Sequence, residues 1–162
     1  MQPCPIKPSD HLLPHSGRMV LLDEVLSYDD TSLHAVCTIR PDCILLPPNS
    51  PDALPGWQGM EIMAQAIGAF AGIQAISAGE VVKLGFLLGT RKLNLFADHI
   101  PIGTTLAATA HLSTQDPSGM GVFDCELRWI AAPDDVRGTL PKDGLLAQAA
   151  LNVYSPKGGR VV

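Results

Sequence analysis

The chain has 162 residues, 46% of them apolar and 17% charged, with a formal net charge of −5. That length is enough for one domain with a sizeable core and needs no disulfide or metal to hold it. The 11 Lys and Arg are scattered, with no basic run or stripe, which excludes a nucleic-acid partner.

Residues 1–18 form an N-terminal segment rich in proline, with Pro3, Pro5 and Pro8 near its start and no apolar stretch ending in a small-residue cleavage site, so no signal peptide is expected. Ser9 and Asp10 can cap a short helical turn that Pro14 ends, and Gly17 marks entry into the first strand. Residues 19–28 and 32–40 read as a hairpin about Asp29 and Asp30. In its second arm Leu33, Ala35, Cys37 and Ile39 face one way and His34, Val36, Thr38 and Arg40 the other. Residues 41–55 carry too many prolines for helix or ladder and are expected to be irregular.

Residues 56–78, GWQGMEIMAQAIGAFAGIQAISA, are the centre of the chain. They are helix formers and apolar side chains with no Lys or Arg, hydrophobic nearly all round if helical, and so must be buried. At 1.5 Å per residue the helix is long enough for a bilayer, but Gln58, Glu61, Gln65 and Gln74 lie within it and no basic residue flanks it closely, so a core helix is expected and not a membrane span. Gly79 is placed to cap its end. Gly59, Gly68 and Gly72 are costly inside a helix and predict that something packs closely against them. Extended runs follow at residues 84–96, 104–115, 120–129 and 145–154, with turns at 98–103, 116–119 and 133–144 and a Gly-rich, mobile tail at 156–162. Two strands, one helix and four strands make an α+β fold, a single domain whose antiparallel sheet wraps the helix. Cys4, Cys37, Cys43 and Cys125 lack CxxC or metal-ligand spacing, which points to a reduced, cytoplasmic protein without a metal. Nothing in the chain calls for a cofactor. So apolar a composition implies that part of the surface is covered by another subunit.

The order of elements, LPHSGRMVLLDEV near the start and LPGWQGMEIMAQA at the helix entry resemble the hotdog-fold 3-hydroxyacyl-[acyl-carrier-protein] dehydratases. PGWQGMEIMAQAIGAFAG with LGFLLGTRKL is more similar still to the dehydratase-like proteins of aryl polyene biosynthesis. The resemblance implies a dimer with two such helices side by side, each active site drawing a histidine from one subunit and an acidic residue from the other. Pro55, Gly56, Glu61 and Gln65 fall on the family's helix motif. The histidine that precedes the proline-glycine step in active dehydratases is replaced here by Pro47, and no histidine lies between His34 and His99.

Dehydrating a 3-hydroxyacyl thioester needs a base for the C2 proton, an acid for the departing hydroxyl and donors for the enolate oxygen. Gly56, at the helix N-terminus, is the expected donor through an unpaired backbone N–H. Glu61 is the expected acid, held protonated by apolar surroundings, with Gln65 one turn on to orient it or a water. Pro-Gly can equally be a plain helix start, and Glu61 a satisfied carboxylate at a dimer interface. Asp52 and Asn49 are the nearby polar groups that can stand in for the base. His15 matches a family position but is expected to bond a backbone carbonyl, and His34, His99 and His111 to be structural or exposed. Trp57 and Phe86 are expected in the core or along an acyl channel. Acyl carrier proteins are acidic, so docking one needs a local basic patch, for which Arg91, Lys92 and Arg128 are candidates.

The favoured expectation is the histidine-less subunit of a heterodimer with a histidine-bearing paralogue, though a homodimer is equally compatible with the composition. A hotdog thioesterase using a helix carboxylate and an oxyanion donor, or a non-catalytic acyl- or carrier-binding partner, are the alternatives.

Overall fold

The computed structural model describes residues 3–8, 12–83 and 85–156. The expected cap at Ser9 and Asp10, the strand start at Leu84 and the tail beyond Pro156 lie outside these residues. The elements in chain order are β1 (Glu24–Tyr28), β2 (Ser32–Thr38), β3 (Ala53–Pro55), α1 (Gly59–Ser77), β4 (Phe86–Leu95), β5 (His99–Pro101), β6 (Thr105–Gln115), β7 (Met120–Ala131) and β8 (Leu145–Tyr154). One six-stranded sheet runs β1-β2-β6-β7-β8-β4, antiparallel throughout, and β3 pairs with β5 as a separate ribbon.

The alternation in the second arm of the hairpin is realised: Leu33, Ala35, Cys37 and Ile39 are buried against the helix, while His34 and Arg40 are exposed. The first arm is shorter than expected. A 3-10 turn occupies Gly17–Met19, and the backbone of Met19 and Leu21 is bonded to the Gln65 side chain in place of a neighbouring strand. The expected irregular loop and the expected turn at 98–103 also conceal β3 and β5. Three residue pairs with proline at two of the six positions carry no alternation to read.

The central helix opens as a 3-10 turn at Gly56–Gln58 before α1 proper begins. It ends as Gly79 predicts: Gly79 has φ +73°, its N–H donates to Ile76 O, and Glu80 N–H donates to Ala75 O, which satisfies two carbonyls the helix leaves open. By length and composition this helix passes as a membrane span, but more than half of the stretch is buried within the fold. Ile62, Met63, Ala66, Ile67, Ala69, Phe70 and Ile73 enter the core, where the Phe70 and Phe123 rings meet edge to face at 5.7 Å. Gly72 is required by packing, since a Cβ there would stand 2.1 Å from the Leu12 carbonyl oxygen.

Burial is not complete around α1. The helix lies over β2, β6 and β7 and touches β8 only lightly. A stripe at helical spacing stays open or half-open: Glu61, Ala64, Gly68, Ala71 and Ala75. Apart from Glu61 these side chains are too small to reach across to β8 and β4, so the gap between helix and sheet remains.

Candidate functional site

That gap is a groove of about 510 Å³. Its floor is the open stripe of α1. Phe86, Phe123, Val153 and Tyr154 form one wall, and Pro14 and His15 form part of the other. Glu61 lines it and is exposed on the single chain, with no hydrogen bond or ion pair among the described residues. The dry surroundings expected for this carboxyl are therefore absent from one chain alone. Its position is nonetheless suited to meet a ligand in the groove.

Gln65 is 6% exposed, borders the groove and is hydrogen-bonded at both ends of its amide. Its Nε2 donates to Met19 O at 2.6 Å, and its Oε1 accepts from Leu21 N–H at 2.8 Å. The expectation that it orients Glu61 or a water is corrected: both ends of the amide clamp the backbone that precedes β1. The free amide expected at Gly56 is corrected likewise. Gly56 N–H donates to Asp98 O at 2.7 Å, and a Cβ on Gly56 would lie 2.0 Å from Ala97 O. Glycine is needed here because the chain between β4 and β5 crosses the helix entry.

Trp57 is 55% exposed and does not line the groove, so it is neither core nor channel wall; it sits in the entry turn ahead of α1, turned out of the fold. Phe86 is 47% exposed and does line the groove. Asp52 and Asn49, the expected substitutes for the base, are exposed and outside its lining, because residues 50–52 lead away into β3. His15 is exposed, lines the groove and, among the described residues, makes none of the backbone hydrogen bonds expected of it. Pro47 is half-buried in the loop that precedes β3.

The expected basic patch is offset by the chain's own acids. Arg128 pairs with Glu126 at 3.2 Å and donates to Asp143 O, while Lys92 borders a second cavity of about 360 Å³ beside Asp124 and Glu126. This cavity is lined mainly by outward-facing residues of the sheet and does not include Glu61. Among the described residues no cluster of His, Cys, Asp or Glu can hold a metal ion. Burial pushes the thiols of Cys37 and Cys125 up to about 12, which makes them inert core groups.

Sequence reasoning missed the groove's outer wall and the crossing at Asp98. The small residues at 64, 68, 71 and 75 were the available signal, because a run of Ala and Gly at helical period marks a face with little to pack.

A single long helix packed on one face of a six-stranded antiparallel sheet defines the hotdog fold. The ApeP-like family model, described as ApeP dehydratase, matches residues 7–161. The chain belongs to this family, and its role is that of a hydro-lyase as part of a complex. Among solved structures it is similar to the dehydratase heterocomplex ApeI:P from Xenorhabdus doucetiae, at 30% identity and a TM-score of 0.76 over 96% of this chain and 93% of that one. It is similar in fold to the E. coli PaaI protein of the phenylacetic acid degradation operon, at 16% identity and a TM-score of 0.55 over 80% of each chain. A hypothetical thioesterase from Streptococcus pneumoniae TIGR4 with coenzyme A has 13% identity and a TM-score of 0.53, over 82% of this chain and 84% of that one. No curated protein matches the sequence.

Proposed function

We propose that this chain is the histidine-less subunit of a heterodimeric 3-hydroxyacyl-[acyl-carrier-protein] dehydratase, acting in the cytoplasm. It donates Glu61 to an active site whose base comes from a histidine-bearing hotdog partner. The observation that carries the reading is Glu61 itself: a carboxylate with no partner among the described residues, on the open stripe of a largely buried helix, facing a groove walled in part by Phe86, Phe123 and Tyr154. The ApeI:P structure is a dehydratase heterocomplex, which supports a partner of the same fold. The edge of the sheet at β4 supports it too. β4 pairs only with β8, leaving a 10-residue edge with Phe86, Leu88 and Leu95 exposed.

In this site the partner's histidine removes the C2 proton and Glu61 passes a proton to the departing hydroxyl, which leaves as water. The apolar groove takes the acyl chain. Gly56 can serve the thioester oxygen only if Asp98 releases its amide. The same bond weakens the thioesterase reading, because that reading depends on a free amide beside the carboxylate.

Mixing the purified chain with its histidine-bearing paralogue is expected to raise dehydration of a 3-hydroxyacyl-carrier thioester at least tenfold over either alone, with Glu61→Gln abolishing the gain. No gain on mixing, or full activity with Glu61→Gln, overturns the proposal.

A further inference from the structure

The segment that carries His15 is held in place from both sides. Leu12 and Leu13 seat against Gly72 and Gly68 of α1: added Cβ atoms there would meet Leu12 O at 2.1 Å and Leu13 Cδ2 at 3.0 Å. Further along, Met19 and Leu21 are clamped by Gln65. Residues 12–21 therefore run back along the helix, from the level of Gly72 towards its N-terminus. Glu61 is one turn beyond Gln65 on the same face. His15, between the two anchorages, borders the groove that Glu61 lines and makes no hydrogen bond or ion pair among the described residues.

Among the described residues, the other charged or titratable groups around the groove are Asp30 from the turn between β1 and β2, Glu80 and Lys83 beyond α1, and Tyr154 on β8. Glu80 and Lys83 are paired with each other at 3.7 Å. An imidazole can carry a proton and hand it on, since each ring nitrogen can donate or accept.

We propose that His15 is a positioning residue for Glu61, returning a proton to it after each turnover; this rests on the dehydratase reading above. When Glu61 has given its proton to the hydroxyl that leaves as water, a carboxylate remains. The His15 imidazolium transfers its proton to that carboxylate and is recharged from solvent. The partner's base meanwhile releases to solvent the proton taken from C2, so the cycle neither gains nor loses protons.

The test uses the complex with the histidine-bearing paralogue and a 3-hydroxyacyl-carrier thioester. His15→Ala and His15→Gln should each lower kcat about tenfold or more with KM changed less than about twofold. Free imidazole should restore kcat in His15→Ala, which loss of a purely structural contact does not allow. Unchanged kcat, or a fall that imidazole does not relieve, overturns the inference. Glu61→Gln is measured in parallel. If it abolishes activity while the His15 variants behave as the parent, only the role of His15 fails; if it leaves activity intact, the dehydratase reading beneath it fails as well.

Discussion

Replacing Gln65 by leucine separates its two possible roles. Leucine fills nearly the same volume but can neither donate to Met19 O nor accept from Leu21 N–H, the bonds now made at 2.6 and 2.8 Å. Each such bond contributes about 1 kcal/mol net, so about 2 kcal/mol goes with the pair. The Leu21 amide, left against an apolar side chain, adds about 1 kcal/mol more. For a chain of this size about 3 kcal/mol corresponds to a fall in Tm of roughly 6–12 °C, which thermal and urea unfolding would read. Activity of the assembled dehydratase should fall only as the fold loosens and the segment carrying His15 comes away from α1. If Gln65→Leu keeps its stability to within about 0.5 kcal/mol while dehydration is lost, Gln65 is a substrate contact and the clamp contributes nothing.

Gly72→Ala should destabilise by about 2–4 kcal/mol in urea unfolding, because its Cβ meets a backbone carbonyl that cannot swing aside, whereas Gly138→Ala, with open space around it, should be near neutral. In native protein at pH 8 a thiol reagent should modify exposed Cys4 and half-buried Cys43, with Cys37 and Cys125 reacting only after denaturation. The two buried thiols keep their protons up to about 12 when folded against 9.0 for a free thiol. The unfolded chain thus binds fewer protons above pH 9, and folding stability should decline as pH rises from 9 towards 12, a decline that Cys37→Ala with Cys125→Ala should flatten. Leu88→Lys on the open β4 edge should leave the single chain's Tm unaltered but weaken association with the paralogue at least tenfold by calorimetry.

Much of the fold was legible because its signals are periodic. Burial alternates along β2 as its sequence does, and Gly79 closes α1 with the two bonds its position predicts. The failures share a cause: they are contacts between segments distant in sequence. Gly56 stands at a helix start, which predicts a free amide, but Asp98, some forty residues on, already accepts from it. Helical spacing pairs Gln65 with Glu61, yet its hydrogen-bond partners lie in the segment before β1. The short β3 and β5 ribbon has no pattern of its own and exists because each strand is the other's partner. Helical spacing did place Glu61 on a coherent face. It could not tell that this face is open, because openness depends on what β8 and β4 fail to supply.

That opening ties assembly to chemistry. α1 covers β2, β6 and β7, so the inner side of the sheet towards β4 is left without a roof by this chain, and Glu61 faces the resulting groove beside water. On the reading proposed above, a partner that adds its own strand to β4 brings its own helix alongside α1, and three changes arrive together. The bare edge finds hydrogen-bond partners, the exposed Phe86 and Leu88 are covered, and the groove around Glu61 loses solvent. Closing the site excludes water from the proton transfer assigned to Glu61. On that proposal the single chain lacks two things at once, a base at Pro47 and dry surroundings at Glu61, and the same partner would supply both. Restoring histidine at Pro47 in the isolated chain therefore repairs only one of them.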